Sequence, residues 1–250
     1  MDGSFLSSAA VIEASKKFVC IRLATYESKE EAEVMKSYFV GASGELENTM
    51  FALIAPDGKL IGRAGRSPGA VYADAAGLAE GMKQVAAKYE TRKDGKWELP
   101  VLKNLRLAID VAACDGLAVV VNLAPDQAAA TSQEEALAAA AWKDAVAGKF
   151  IYASVSDPKE LESVKGVTKK SGYLVIEPDT YGVAGKVLLE IDAKVSPKDL
   201  EVNLLKGALL HKPVAKDPGA HIREGHRLGI DWKTEIPDTD PGPPGGKGPR

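Results

Sequence analysis

The chain has 250 residues, 45% hydrophobic and 27% charged, with a net charge of −3, which allows one large domain or two of ordinary size. Its Lys and Arg residues are scattered rather than striped, and this argues against a nucleic-acid or anionic-membrane surface. The longest apolar runs, such as Leu117–Leu123, are strand-length and far short of the ~20 residues that span a bilayer. Two cysteines, Cys20 and Cys114, are too few and too far apart for a disulfide framework or a Cys-based zinc site. Met1–Ala10 has neither the basic start nor the apolar core of a secretory signal. A cytoplasmic location is the default reading, and the mature form of an exported protein would look the same.

In chain order, Ser7–Lys17 has helical spacing, with Val11, Ala14 and Phe18 on one face. Phe18–Tyr26 (FVCIRLATY) reads as a strand by its β-branched content. Glu30–Val40 reads as a helix. Met50–Ala55 and Lys59–Gly65 flank the turn Pro56-Asp57-Gly58 and predict a β-hairpin, and Ala70–Tyr89 is an Ala-rich helix. Lys88–Pro100 (KYETRKDGKWELP) is charged, rich in turn formers and ends in Pro, as an interdomain linker does. Beyond it, Leu102–Cys114 is a predicted helix, Ala118–Leu123 a buried strand, Gln133–Ala147 a helix, Phe150–Val155 a strand and Pro158–Val164 a short helix. Tyr173–Glu177 and Lys186–Ile191 flank a turn at Pro178-Asp179, and Pro197–Leu210 is a helix with Pro197 suited to its first turn. From Asp217 the chain turns polar and then Pro/Gly-rich, ending DTDPGPPGGKGPR, a composition that buries too little apolar surface to order by itself. The elements predict an N-terminal domain over residues 1–90, a linker over 91–100, a second domain over 101–216 and an extended tail over 217–250. Within the two halves, ALIAPDGKLIGRAG and LVIEPDTYGVAGKV echo one another, and the order of elements is that of an α/β protein.

The second half resembles the thioredoxin-like superfamily on the stretch Asp115–Ala130 (DGLAVVVNLAPDQAAA). That family places an apolar strand before W-A-P-W-C-x-x-C at the start of a helix. Ala124-Pro125 matches its Ala-Pro, Asp126 stands at the second Trp, and Gln127 and Ala130 stand at the two cysteines. The first half resembles the family from its first long helix onward, on ENTMFALIAPDGKLIGRAG. There Asn48 falls at the family's cis-proline and Thr49 matches the Thr after it. In the second half Ser171, followed by Gly172, stands at the cis-proline. The resemblance implies two tandem thioredoxin-like domains, each a mixed sheet flanked by helices. The first lacks room for the family's first strand and cysteine motif, so Met1 reads as a possible truncation point.

Thiol–disulfide exchange needs an attacking thiolate and a resolving thiol, and the family supplies both at a helix N-terminus where the dipole lowers the thiol pKa. Gln127 and Ala130 can do neither job. Cys20 reads as a packed strand residue, because free cysteine is among the most buried residue types. Cys114 ends a helix beside Asp115, where the dipole and the carboxylate both disfavour a thiolate. Three histidines remain as metal-ligand candidates, His211, His221 and His226, with Glu224 nearby. His221 and His226, five apart in HIREGH, do not stack on one helix face, and a polar, partly exposed segment is the favoured account of them. Arg63 and Arg66 in GRAGR read as charges that blunt an edge strand. Ile222, Arg223, Leu228, Ile230 and Trp232 are candidate interface residues in the polar C-terminal stretch.

By elimination, the sequence leads to a non-catalytic thioredoxin-like protein that binds other proteins or assembles with itself; the apolar residues of the C-terminal stretch pack back over the second domain, the favoured reading, or dock on a neighbouring chain. It indicates no cofactor and leans away from an enzyme. A truncated or divergent thiol–disulfide oxidoreductase is one alternative. A metal-binding protein using the histidine-bearing segment is another, and a structural subunit of a filament or shell a third.

Overall fold

The computed structural model describes residues 2–21, 23, 28–41, 44, 49–90, 98–214 and 217–230. These fall into two compact units, 2–90 and 98–230. Asn48 and Trp232, singled out above, lie outside the described residues.

The first unit begins with a π-helical turn, Asp2–Leu6, and continues through helices α1 (Ala9–Ser15) and α2 (Lys29–Tyr38), strands β1 (Phe51–Ile54) and β2 (Leu60–Gly65), and helix α3 (Ala75–Ala86). Side chains start the two longer helices: Ser28 Oγ accepts from Glu31 N at 3.2 Å and Asp74 Oδ1 from Gly77 N at 2.7 Å, satisfying amides that the helix itself leaves unbonded. β1 and β2 form the expected antiparallel hairpin. A two-stranded hairpin is marginal by itself in water. Here it is packed: Val11 and Ala14 of α1 meet Leu78, Ala79, Met82 and Val85 of α3 over Leu53, with Phe51 and Ile61 at the margin.

The strand expected over Phe18–Tyr26 does not form at Phe18–Ile21 or Leu23; Arg22 and residues 24–27 lie outside the described residues. Phe18 packs toward the helical core while Val19 and Cys20 face solvent. A β-branched run becomes a strand only with a ladder partner and a face to bury, and among the described residues no strand lies beside it.

The second unit is an α/β layer structure. Its six-stranded mixed sheet has the order β3-β5-β4-β7-β8-β6, with β3 Val101–Leu102, β4 Ala118–Leu123, β5 Phe150–Val155, β6 Val164–Lys165, β7 Gly172–Pro178 and β8 Gly185–Ile191. β3, β5 and β4 run parallel, β7 is antiparallel to β4, β8 is antiparallel to β7, and β6 runs parallel to β8. All six residues of β4 are buried, as a strand covered on both faces requires. Its alternate residues serve two cores. Ala118 and Val120 pack beneath α5 (Gln127–Ala141) and α6 (Pro197–Leu210) with Leu137, Leu200 and Leu204. Val119, Val121 and Leu123 pack on the other face beneath α4 (Leu105–Asp115) with Leu105 and Ile109.

Helix α5 starts at Gln127 rather than at Gln133. Asp126 Oδ1 accepts from Ala129 N at 2.8 Å, and the capped Ala-rich first turn is helical from there. The segment after Asp217 also departs from expectation. Pro218–Leu228 is a helix, α7, rather than extended tail. Its signals are local ones: Asp217 as N-cap, Pro218 at the first position and Gly229 in the left-handed conformation at the end. Residues 231–250 lie outside the described residues.

Gly172, at the start of β7, has φ +121 and passes so close to β8 that a Cβ would collide with the Ile191 carbonyl oxygen. Gly116, which ends α4 with φ +67, would bring a Cβ only to ordinary contact, 3.6 Å from Pro213. Gly116→Ala is therefore expected to cost about 1–2 kcal/mol, the left-handed backbone penalty. Gly172→Ala combines backbone strain with a steric clash and should cost roughly 3 kcal/mol or more. Urea denaturation of the two variants checks the ranking, which fails if Gly116→Ala proves the more damaging.

Candidate functional site

The positions of interest gather where the N-terminal half of α5 lies over β4 and the start of β7. Asn122 is the one polar residue in the apolar run of β4, and the strand's alternation turns it toward α5 with Ala118 and Val120. It is fully buried, and its Nδ2 donates to the Ala130 carbonyl at 3.0 Å. One turn further along α5, Gln133 Nε2 donates to Ser171 Oγ at 3.3 Å. The Tyr173 hydroxyl donates to the Gln133 carbonyl at 3.0 Å. Burial pushes the Tyr173 phenol up to about 12, so it stays protonated and a donor at neutral pH. Asn122 Oδ1 and Gln133 Oε1 are buried and meet no donor among the described residues. Unpaired buried acceptors are costly, so this cluster orders the chain at a price in stability.

The loop before β7 is secured from its other side. Glu190 on β8 accepts from the Thr168 amide at 2.6 Å, the Thr168 hydroxyl at 2.6 Å and the Lys169 amide at 3.1 Å. Burial pushes the Glu190 carboxyl up, but the Thr168 and Lys169 hydrogen bonds outweigh it and hold the group below its ordinary value. Gln133 from the helix and Glu190 from the sheet thus fix the segment that carries Ser171.

The chemistry available follows from the residues brought together. Asp126 is exposed but its carboxylate caps α5. Gln127 is exposed and Ala130 is buried, so an accessible position and an inner one face the site carrying an amide and a methyl. Neither cysteine is here. Cys114 lies on the last turn of α4, its Sγ 4.0 Å from Asp110 Oδ1. Cys20 belongs to the first unit and is exposed, which corrects its expected burial in a strand. Arg63 donates to the Ala70 carbonyl and so braces the turn after β2.

The histidines do not converge. His211 follows α6 with a largely buried ring, Nε2 3.0 Å from the Gly116 carbonyl and Nδ1 3.6 Å from Glu177 Oε1. His221 stacks on Tyr181 with ring centres 4.4 Å apart and an 11° interplanar angle. His226 is exposed in the last turn of α7. Glu224 is engaged with Arg227 at 2.5 Å. Among the described residues no three His, Cys, Asp or Glu side chains group as a metal ligand set. The alternative in which the three histidines share a site finds no support among the described residues.

The residues marked as an interface divide between two situations. Ile222, Arg223 and Leu228 are exposed on α7. Ile230 instead turns inward and, with Asp110, Cys114, Tyr181 and His221, lines a cleft of about 120 Å³. α7 is held by the ring stack, by the Tyr181 hydroxyl donating to the His221 carbonyl at 3.3 Å, and by Gly225 lying flat against the Tyr181 ring. No described helix is long and apolar enough to cross a membrane.

Sequence reasoning did not find Asn122, Gln133, Tyr173 or Glu190. Only Asn122 carried a signal, as a single amide inside the run VVVNL. The other three acquire their roles through pairings 22 to 40 residues apart in the chain.

Comparison with protein-family models, with curated proteins and with solved structures gave no match.

The Glu190 hydrogen bonds set a pH dependence. Because the folded-state carboxyl is held below its ordinary value, its contribution to stability is present above pH ~4.5 and is lost as pH falls through the lowered value. Glu190→Gln should lower stability at neutral pH and flatten the acid limb of the stability curve below pH ~4.5. Thermal melts of both proteins across that range check it, and acid limbs of equal slope would show that Glu190 does not anchor the loop.

Proposed function

We propose that this chain is a non-catalytic thioredoxin-like protein that works by binding or assembling with other proteins, further copies of itself included. The observation that carries the reading is the first turn of α5. A capped helix begins directly after a fully buried central strand. The exposed and buried positions where that family carries its cysteine pair hold Gln127 and Ala130.

The sheet supports the fold assignment: three parallel strands with β4 third, then an antiparallel hairpin and a closing helix, α6, on the same face as α5. The first unit supports a second, partial copy of the plan, with a helix before the β1–β2 hairpin and α3 after it. Fold by itself does not set function. The function rests on a chemical absence at one place: neither Gln127 nor Ala130 can form a thiolate, a mixed disulfide or a resolving thiol. The Ser171 loop, fixed by Gln133 and Glu190, is then a rigid surface feature with no catalytic partner beside it.

The purified chain should fail to reduce insulin disulfides at a rate comparable with a thioredoxin; a comparable rate would return the oxidoreductase reading. A second experiment tests the assignment of the α5 turn. The double variant Gln127→Cys/Ala130→Cys should close an intramolecular disulfide under mild oxidation, read as a fall from four free thiols to the two of Cys20 and Cys114 in a monomer lighter by two hydrogens. Four thiols that remain reactive, or engineered cysteines that link only between chains, would show that this turn is not the family's cysteine position.

A further inference from the structure

Helix α6 packs into the second unit through Leu200, Leu204 and Gly207. At 3.6 residues per turn the opposite side carries Val202, Leu205 and Leu209, spaced three and four residues apart. Val202 is 56% exposed and Leu209 84%, the most exposed large apolar side chain among the described residues, while Leu205 is half-buried, packing in part against the unit's own core and in part exposed. An apolar stripe turned to water costs free energy unless something covers it.

We infer that this stripe is a self-pairing seam through which α6 of one chain packs in parallel against α6 of a second copy. Spacings of three and four are those of a two-stranded coiled-coil seam, in which a β-branched residue at the first position and Leu at the next favour two helices. Val202 and Leu205 occupy those positions, and Leu209 begins the following repeat. The flanking charges favour the parallel arrangement. Glu201 and Lys206 lie on either side of the seam and are five residues apart, the separation at which a parallel pair brings the acid of one helix to the base of the other. A two-fold axis then forms the Glu201–Lys206 pair twice. An antiparallel pair centred on Leu205 would instead bring the two Lys206 side chains together. Because the seam lies opposite Leu200, Leu204 and Gly207, the second units of the two chains would extend to opposite sides of the helix pair.

Lys198, one seam position earlier, is exposed and ends the apolar stretch. Three layers form a small interface, in the class below roughly 1,200 Å² where complexes are transient. The dimer is accordingly concentration-dependent. This inference rests on the assembly reading above and names its partner as a second copy of the chain.

The test is sedimentation velocity on the full chain over a concentration series reaching the millimolar range. The expected result is a mass that rises from monomer toward dimer. Leu209→Glu should remain monomeric throughout with an unchanged melting temperature, because the side chain takes no part in the fold. Glu201→Lys should weaken association several-fold, and the charge-swapped double variant Glu201→Lys/Lys206→Glu should restore it. A full chain that stays monomeric, a dimer that survives Leu209→Glu, or a swap that fails to restore association each overturns the seam. A monomer that also fails to reduce insulin overturns the seam alone and leaves the non-catalytic reading in place.

Discussion

The second unit depends on the burial of β4. Six consecutive residues, Ala118–Leu123, are covered on both faces, and a strand in that position can satisfy its backbone only with a strand on each side. β5 supplies one neighbour in parallel and β7 the other in antiparallel. Its side chains need helices above and below, which α4 on one face and α5 with α6 on the other provide. The mixed character of the sheet follows from this. The chain crosses over through α5 to reach β5, and later returns through a hairpin, which needs no crossover.

Within this apolar scaffold a costly feature is polar. Asn122 and Gln133 each place an amide oxygen in the interior without a protein donor. An all-apolar arrangement would avoid that desolvation cost. What the amides provide is position. Asn122 ties β4 to α5, Gln133 ties α5 to the Ser171 loop, and Tyr173 ties β7 back to α5. Three elements meeting at one end of the sheet are thereby held in a single arrangement, with Glu190 securing the loop from below.

The outer surfaces carry the remaining information. Short elements and charge protect the sheet edges: β6 is two residues long and sets Lys165 beside Lys186 of β8, a common guard against edge-to-edge pairing. The exposed apolar side chains of α6 have no such guard. α7 closes back on its own unit through one ring stack and a glycine contact, leaving Ile222 and Leu228 outward. Large apolar side chains are thus exposed on the helical surface of this unit, on α6 and α7.

How much of this was legible can be judged element by element. Ala118–Leu123, Phe150–Val155 and Pro197–Leu210 were readable to the residue, because apolar period, turn formers and an N-terminal Pro are local properties of the chain. The helix over Pro218–Leu228 was equally local in its signals, Asp217, Pro218 and Gly229, but the Pro/Gly-rich composition beyond it masked them. Phe18–Ile21 had strand-like composition and forms no strand, since β propensity is realised only against a neighbour that tertiary structure must supply. The site lay almost wholly beyond local reasoning. The absence of cysteine at Gln127 and Ala130 could be read directly, and so could the chemistry it removes. That Gln133 would meet Ser171, that Glu190 would hold Thr168, and that His211, His221 and His226 would part company depended on sheet order and helix placement. The sequence by itself determined the elements whose signals are local and the residue chemistry at each position, because periodicity, capping and residue chemistry act over a few positions. Only the tertiary structure decided which polar groups were buried together and which apolar face of α6 was left to water, because those outcomes depend on contacts between residues far apart in the chain.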